Sequence, residues 1–223
     1  MLRFDIITET DARTLPRGET VMLARGGHVT PLAADTLRDR HVRIVHEGAA
    51  SADDASLVPR SDVRSVAVAS DHTGIALRRE IVRFLRGRGI AVQDLGTDST
   101  EPVDYPDMAA AVARAVARGE ADAGVVIDGA GIGSAIAANK VSGIRAVMCP
   151  DETIARYSRE HNGANVLTLG ATLVTADEAK TIVSTWLATT ITEPRYIRRL
   201  AKIRDLERAA GPTFGSAPAR THD

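Results

Sequence analysis

The sequence predicts an α/β fold: five parallel strands covered by helices on both faces, preceded by a small α+β extension. Three observations carry that expectation. Short β-branched runs alternate with longer helical stretches between residues 65 and 208, and such alternation means βαβ units. The runs are apolar nearly throughout, as strands buried on both faces must be. One of them passes through a glycine-rich turn straight into a small-residue helix, GVVIDGAGIGSAIAANK over 124–140.

Taken in order, residues 1–48 form an extension with possible strands at 2–7, 20–24 and 41–46 and a short helix from Pro31, capped by Thr30. So short a piece is too small for a comfortable core, so docking on the main domain or on another subunit is expected. Residues 49–64, AASADDASLVPRSDVR, are small, polar and acidic and read as a linker. Strands follow at 66–70, 90–96, 123–127, 145–149 and 165–170. The helix over 74–87 places Ile75, Leu77, Ile81, Phe84 and Leu85 near one stripe, with Arg78, Arg79, Glu80 and Arg83 mostly facing away. After a last sheet helix around 176–188 comes EPRYIRRLAKI, and residues 209–223 have the composition of a disordered tail.

Composition excludes several function classes. Lys plus Arg number 28 against 29 for Asp plus Glu, so no field for nucleic acid or an anionic membrane is expected. Aromatic residues at 3% weaken base stacking as well. No apolar stretch reaches the roughly 18 residues that span a bilayer, and no basic-then-apolar leader is visible, so a cytoplasmic location is expected. The single cysteine, Cys149, reads as a small core residue at a strand end. The GAGIGS turn has its glycines at first, third and fifth places and follows the third strand, which argues against a dinucleotide loop.

In parallel sheets ligands sit beyond the carboxyl ends of the strands. Asp71 and His72 follow the first strand, and Asp128 closes the third. Gly129, Gly131 and Gly133 let the backbone aim several N–H groups at one spot beside a helix N-terminus, which stabilises an anion or a developing oxyanion. A carboxylate beside such a nest is placed to take a proton from a substrate whose oxygens lie in it. His161 and Asn162 come before the fifth strand, at the end of a helix, so chain order alone does not guarantee that they reach the same crevice. Arg195 and Arg199 are four apart and share a helix face. Plainer alternatives exist for each: Asp71 and His72 as a helix cap, His161 as a partner of a helix dipole, Arg195 and Arg199 as part of a solvated face.

Five stretches resemble the ribose-5-phosphate isomerase B family, which includes the galactose-6-phosphate isomerase subunits: ASDHTG (69–74), VDYPDMA (103–109), GAGIGSAIAANKVSGIRA (129–146), SREHNGANVLTLG (158–170) and EPRYIRR (193–199). The resemblance implies a Rossmann-like three-layer sandwich and a homodimer, often paired into a tetramer, whose active sites are shared between subunits. It implies aldose–ketose interconversion of a phosphorylated sugar through an enediol, with neither metal nor cofactor. Asp71 and His72 match its sugar- and phosphate-side pair, Tyr105 the tyrosine lining the site, and Gly129, Gly131 and Gly133 its anion hole. His161 matches the ring-opening histidine with Asn162 beside it, and Arg195 and Arg199 match phosphate-binding arginines reaching across the dimer.

Departures from that family stand beside the matches. Asp128 occupies the place of a cysteine base, and the later glutamate base of other members is absent, Ser134 and Ala135 standing there instead. Asp128 is then either the enolising base or a hydrogen-bond partner of a substrate hydroxyl. Ala130, Thr172 and Tyr196 replace a common hydroxyl, arginine and histidine, which points to an altered substrate. A noncatalytic, partner-completing relative that binds sugar phosphates is the competing reading. The segment over 27–44 loosely resembles a TPxA-containing stretch of bacterial microcompartment enzymes, which implies an association with such a shell.

Overall fold

The computed structural model describes residues 2–46 and 57–209, so residues 49–56 of the linker expected over 49–64 and residues 210–223 of the tail expected over 209–223 lie outside the described residues. The chain separates into two compact units, Met1–Ala52 and Asp53–Asp223.

The first unit runs β1 (Arg3–Ile7), α1 (Glu9–Thr14), β2 (Thr20–Val29), α2 (Pro31–Asp39) and β3 (Arg43–His46), with a parallel sheet in the order β1-β2-β3. Ile7, Ala12, Leu15, Val21, Leu23, Ala33 and Leu37 close a core of its own, which the shortness of the segment argued against. Helix α1 is an element beyond those expected from the sequence, although its start signal is present: Thr8 and Asp11 form a reciprocal capping box. Thr30 precedes α2 without a side-chain cap bond, so Pro31 with its preset φ opens that helix.

The second unit runs β4 (Ser65–Ser70), α3 (Ile75–Gly87), β5 (Ala91–Asp94), α4 (Tyr105–Ala117), β6 (Ala123–Asp128), α5 (Ile132–Ala138), β7 (Ala146–Met148), α6 (Glu152–Glu160), β8 (Val166–Gly170), α7 (Ala176–Ala188) and α8 (Pro194–Ala209). All five strands are parallel in the order β5-β4-β6-β8-β7. Because side chains alternate across a strand, Val66, Val68, Val125, Ile127, Leu167 and Leu169 pack one face against Leu77, Ile81, Ile182 and Trp186 of α3 and α7. Ala67, Ala69 and Val126 pack the other face against Ala109, Val112 and Ala113 of α4. Small residues there let α4 come close, and a Cβ at Gly124 would lie 2.5 Å from Val112 Cγ1.

Two expectations are corrected here. Arg78 does not face away with its charged neighbours: it is 1% exposed, donates to Thr97 O (2.6 Å) and Asp98 Oδ1 (2.7 Å), and meets Asp94 at 3.2 Å. Its guanidinium fills the space left by the missing side chain of Gly96. Within the described end of the linker stretch, 57–64, Leu57 and Pro59 are buried. Cys149 is a buried core residue after β7, and burial pushes its thiol up to about 12.

Candidate active site

The chain leaves β4 first toward β5 and then crosses to β6, so the sheet's switch point lies between β4 and β6. Ser70 pairs in register with Ile127, which sets the turn after Ser70 beside the glycine loop after Asp128. The Asp71 carboxylate accepts from Thr73 N (2.9 Å) and Thr73 Oγ1 (2.6 Å), closing the turn into α3. His72 Nδ1 accepts from Val103 N at 3.3 Å, which ties this turn to the segment leading into α4. Tyr105, first residue of α4 and 41% exposed, lays its ring over the loop: a Cβ at Gly133 would lie 2.6 Å from its Cζ and 2.9 Å from its hydroxyl.

The loop itself is laced down. Gly131 has φ +77° and caps α5 in the left-handed conformation; a Cβ there would lie 2.9 Å from the Leu169 carbonyl carbon. Gly129 is not left-handed, and a side chain at Gly133 would displace the overlying Tyr105 ring. Thr172 donates to Gly129 O through both N (3.1 Å) and Oγ1 (2.6 Å), and Thr168 Oγ1 donates to Gly131 O at 2.7 Å.

Asp128 turns into this nest instead of standing beside it. Oδ1 accepts from Ala130 N (2.8 Å) and Gly131 N, and Oδ2 accepts from Ser134 N (3.0 Å) and Ser134 Oγ. Both carboxylate oxygens thus carry two donors, and the residue is 5% exposed. Three amides of this turn hold the protein's own carboxylate, and one of them, that of Gly131, belongs to a glycine expected to hold a substrate anion. The amides of Ile132 and Gly133 lie in the first turn of α5, where a helix offers no intrahelical acceptor. In the sequence Ser134 stands out only as the residue in place of a glutamate. Its place six residues after Asp128, in the first turn of the following helix, is the signal that could have marked it as the carboxylate's partner.

A second cluster forms elsewhere. His161 ends α6 and lies between Tyr157 (ring centroids 4.8 Å, stacked) and Tyr196 (4.6 Å, tilted). The guanidinium of Arg195 lies 4.9 Å from the Tyr196 ring centroid and that of Arg199 5.7 Å, and Arg195 Nη2 donates to the Tyr196 hydroxyl at 2.9 Å. That bond, with the nearby Glu193 charge, holds the Arg195 pKa above its usual value. Asn162 is exposed beside His161. Beneath, Arg159 is wholly buried against Trp186 (4.4 Å) and donates to the carbonyls of Trp186, Thr189, Ala164 and Arg60. Burial brings its pKa down to about 10.

One chain does not bring the two clusters together. Asp128 pairs with Gly170 at the carboxyl edge of the sheet, whereas His161 and Asn162 precede Val166, which pairs with Gly124 at the amino edge. Four residues of strand alone separate those edges by about 13 Å.

Residues 66–203 match the family described as Ribose/Galactose Isomerase. The chain belongs to the ribose/galactose isomerase family. It is 45% identical over 145 residues to ribose-5-phosphate isomerase B of Escherichia coli, covering 65% of this chain and 97% of that protein. It is 40% identical over 124 residues to D-erythrulose-4-phosphate isomerase of Pectobacterium atrosepticum, covering 55% of this chain and 82% of that one. Among solved structures, ribose-5-phosphate isomerase B of Clostridium thermocellum superposes with a TM-score of 0.64 at 49% identity over 65% of this chain and 98% of that chain. The Mycoplasma genitalium enzyme, solved with bound ribulose-5-phosphate, gives 0.62 at 38% identity over 65% and 96%. This member of the isomerase family therefore has the Rossmann-like parallel sheet the sequence implied, and the unit Met1–Ala52 lies outside the matched segment.

Proposed function

We propose that this isomerase interconverts an aldose phosphate and its ketose phosphate through an enediolate, with Asp128 as the base. The carrying observation is the carboxylate seated inside the glycine loop at the sheet's switch point, where the loop holds no other ionisable group. With the open-chain aldose bound, Asp128 takes the C2 proton, the C–H electrons form the C1–C2 double bond, and the carbonyl pair moves onto O1. The Ile132 and Gly133 amides stabilise that oxyanion; return of the proton from Asp128 to C1, with formation of the C2–O2 double bond and transfer of the O2 proton to O1, gives the ketose. Hydrogen moves within the substrate, so the step as written consumes no cofactor.

Asp128 needs a free lone pair for this. Of its four donors, the Ser134 hydroxyl alone can rotate away without backbone movement. Asp71, His72 and Tyr105 hold the sugar, His161 with Asn162 opens its ring, and Arg195 and Arg199 clamp the phosphate with planar guanidinium forks. Since His161, Arg195 and Arg199 sit at the other sheet edge, a second copy supplies them, which makes the working unit a homodimer. Relatives named for five- and four-carbon sugar phosphates support that substrate class.

One observation favours a second reading. A carboxylate already saturated by four donors is a finished structural anchor, as in a member that binds sugar phosphates without turning them over. Incubating the protein in deuterium oxide with four-, five- and six-carbon sugar phosphates separates the two. Deuterium at C2 of at least one is expected, and exchange in none would establish the noncatalytic reading. Asp128→Asn is expected to cost 10² or more, as loss of a general base does, and turnover within about twofold of wild type would remove the base assignment.

A further inference from the structure

We propose that Leu57–Arg60, which precedes the family-matched segment, is a brace that positions His161 and the arginines of α8. Leu57 packs with Ile191, Tyr196 and Leu200 in a small buried cluster separate from the two sheet faces, with Val58, Ile197 and Ala201 around it. Tyr196 is the ring against which His161 lies and over which Arg195 and Arg199 sit. Leu57 therefore supports the underside of the residue that organises all three.

Backbone anchors hold the segment in place. Arg145 Nη2 donates to Leu57 O (3.1 Å), Thr190 Oγ1 to Pro59 O (3.2 Å) and Arg159 Nη2 to Arg60 O (3.2 Å). Gly163, two residues after His161, has no side chain because Leu200 Cδ1, Leu57 O and Ile191 Cδ1 would lie 2.7, 3.1 and 3.2 Å from its Cβ. Two buried or half-buried arginines thus spend guanidinium donors on the carbonyls of a segment that the family match does not include. Helix α8 is exposed along much of its length, so few other side chains fix its angle. Removing the Leu57 side chain leaves the helix free to shift, and shifts of about 1 Å at binding groups cost on the order of 10²-fold in well-ordered sites.

The inference rests on the assignment of Arg195 and Arg199 to the phosphate. Its test is steady-state kinetics of the full chain on whichever sugar phosphate shows C2 exchange, with Leu57→Ala, Leu57→Met and, as comparator, Arg199→Ala. Leu57→Ala is expected to raise KM about tenfold with kcat within about threefold, and Leu57→Met to restore KM to within about twofold, because Met conserves the volume. An unchanged KM in Leu57→Ala beside a raised KM in Arg199→Ala overturns the brace and leaves the phosphate assignment standing. An unchanged KM in Arg199→Ala removes that assignment instead. Should Leu57→Ala fail to fold, Thr190→Val deletes one anchor, and a KM rise of about threefold is expected; no rise overturns the brace.

Discussion

Gly131 shows how one residue can decide the geometry of the loop. Its φ of +77° and the Leu169 carbonyl carbon, Met148 Cγ and Gly170 N crowding its α-carbon leave no room for a methyl group. Gly131→Ala is expected to destabilise the protein by roughly 1–3 kcal/mol, from the left-handed backbone and the crowding together, and to abolish turnover because the amide that meets Asp128 Oδ1 moves with it. Thermal denaturation and C2 exchange check the two parts; a variant with wild-type stability would show that the loop is free to relax. Cys149 makes the contrasting point. With its thiol pushed up to about 12 by burial, it stays protonated and inert in the folded state and is not available as a base. The position of Asp128 at the last place of a strand was legible, but its inward rotamer was not. Side-chain direction at a loop depends on which amides converge there, and that depends on the turn as a whole.

At the scale of elements, the strands and sheet helices were readable because periodicity and β-branching report burial directly. Elements whose ends rest on distant partners were less so. The amino edge of the sheet is held by Asp122, whose carboxylate accepts from Arg64 N and Ser65 N at 2.9 Å each, from Ser65 Oγ at 3.1 Å and from Arg60 Nη1 at 3.1 Å. Burial pushes this carboxyl up, but the two amides, the hydroxyl and the arginine outweigh it and hold it below its usual value. A depressed folded value means that the contribution is present above the unfolded value of about 3.9 and is lost as pH falls through the folded one. Asp122→Asn is expected to lower stability at pH 7 by roughly 1–3 kcal/mol, with the gap to wild type closing toward pH 3. Urea denaturation at the two pH values measures it, and a gap independent of pH would show that the charge is not what ties β4 to β6.

At the scale of the molecule, the proposed chemistry needs two copies. The crevice at the carboxyl edge is rimmed by exposed apolar side chains: Ile132 and Ile136 one turn apart on α5, with Leu173 and Tyr105 nearby. Apolar groups so placed are the kind of surface that a partner covers. Ile136→Glu is expected to convert a dimer to monomers and to lose activity together with it, since each crevice then lacks the His161, Arg195 and Arg199 of a second copy. Light scattering coupled to size exclusion checks the mass; a monomeric wild type with full activity would refute shared sites.

The sequence by itself determined the parallel sheet, the order of its helices and the glycine loop after Asp128, because these follow from local periodicity and from residues that only a turn tolerates. It also identified the side chains of the proposed site through their order in matching stretches. Only the tertiary structure decided that Asp128 fills the nest and that Arg78 and Leu57 are buried. It alone showed His161 and the α8 arginines at the opposite sheet edge from the loop. Each of those depends on which distant segments meet, and chain order does not encode a meeting between residues brought together by packing.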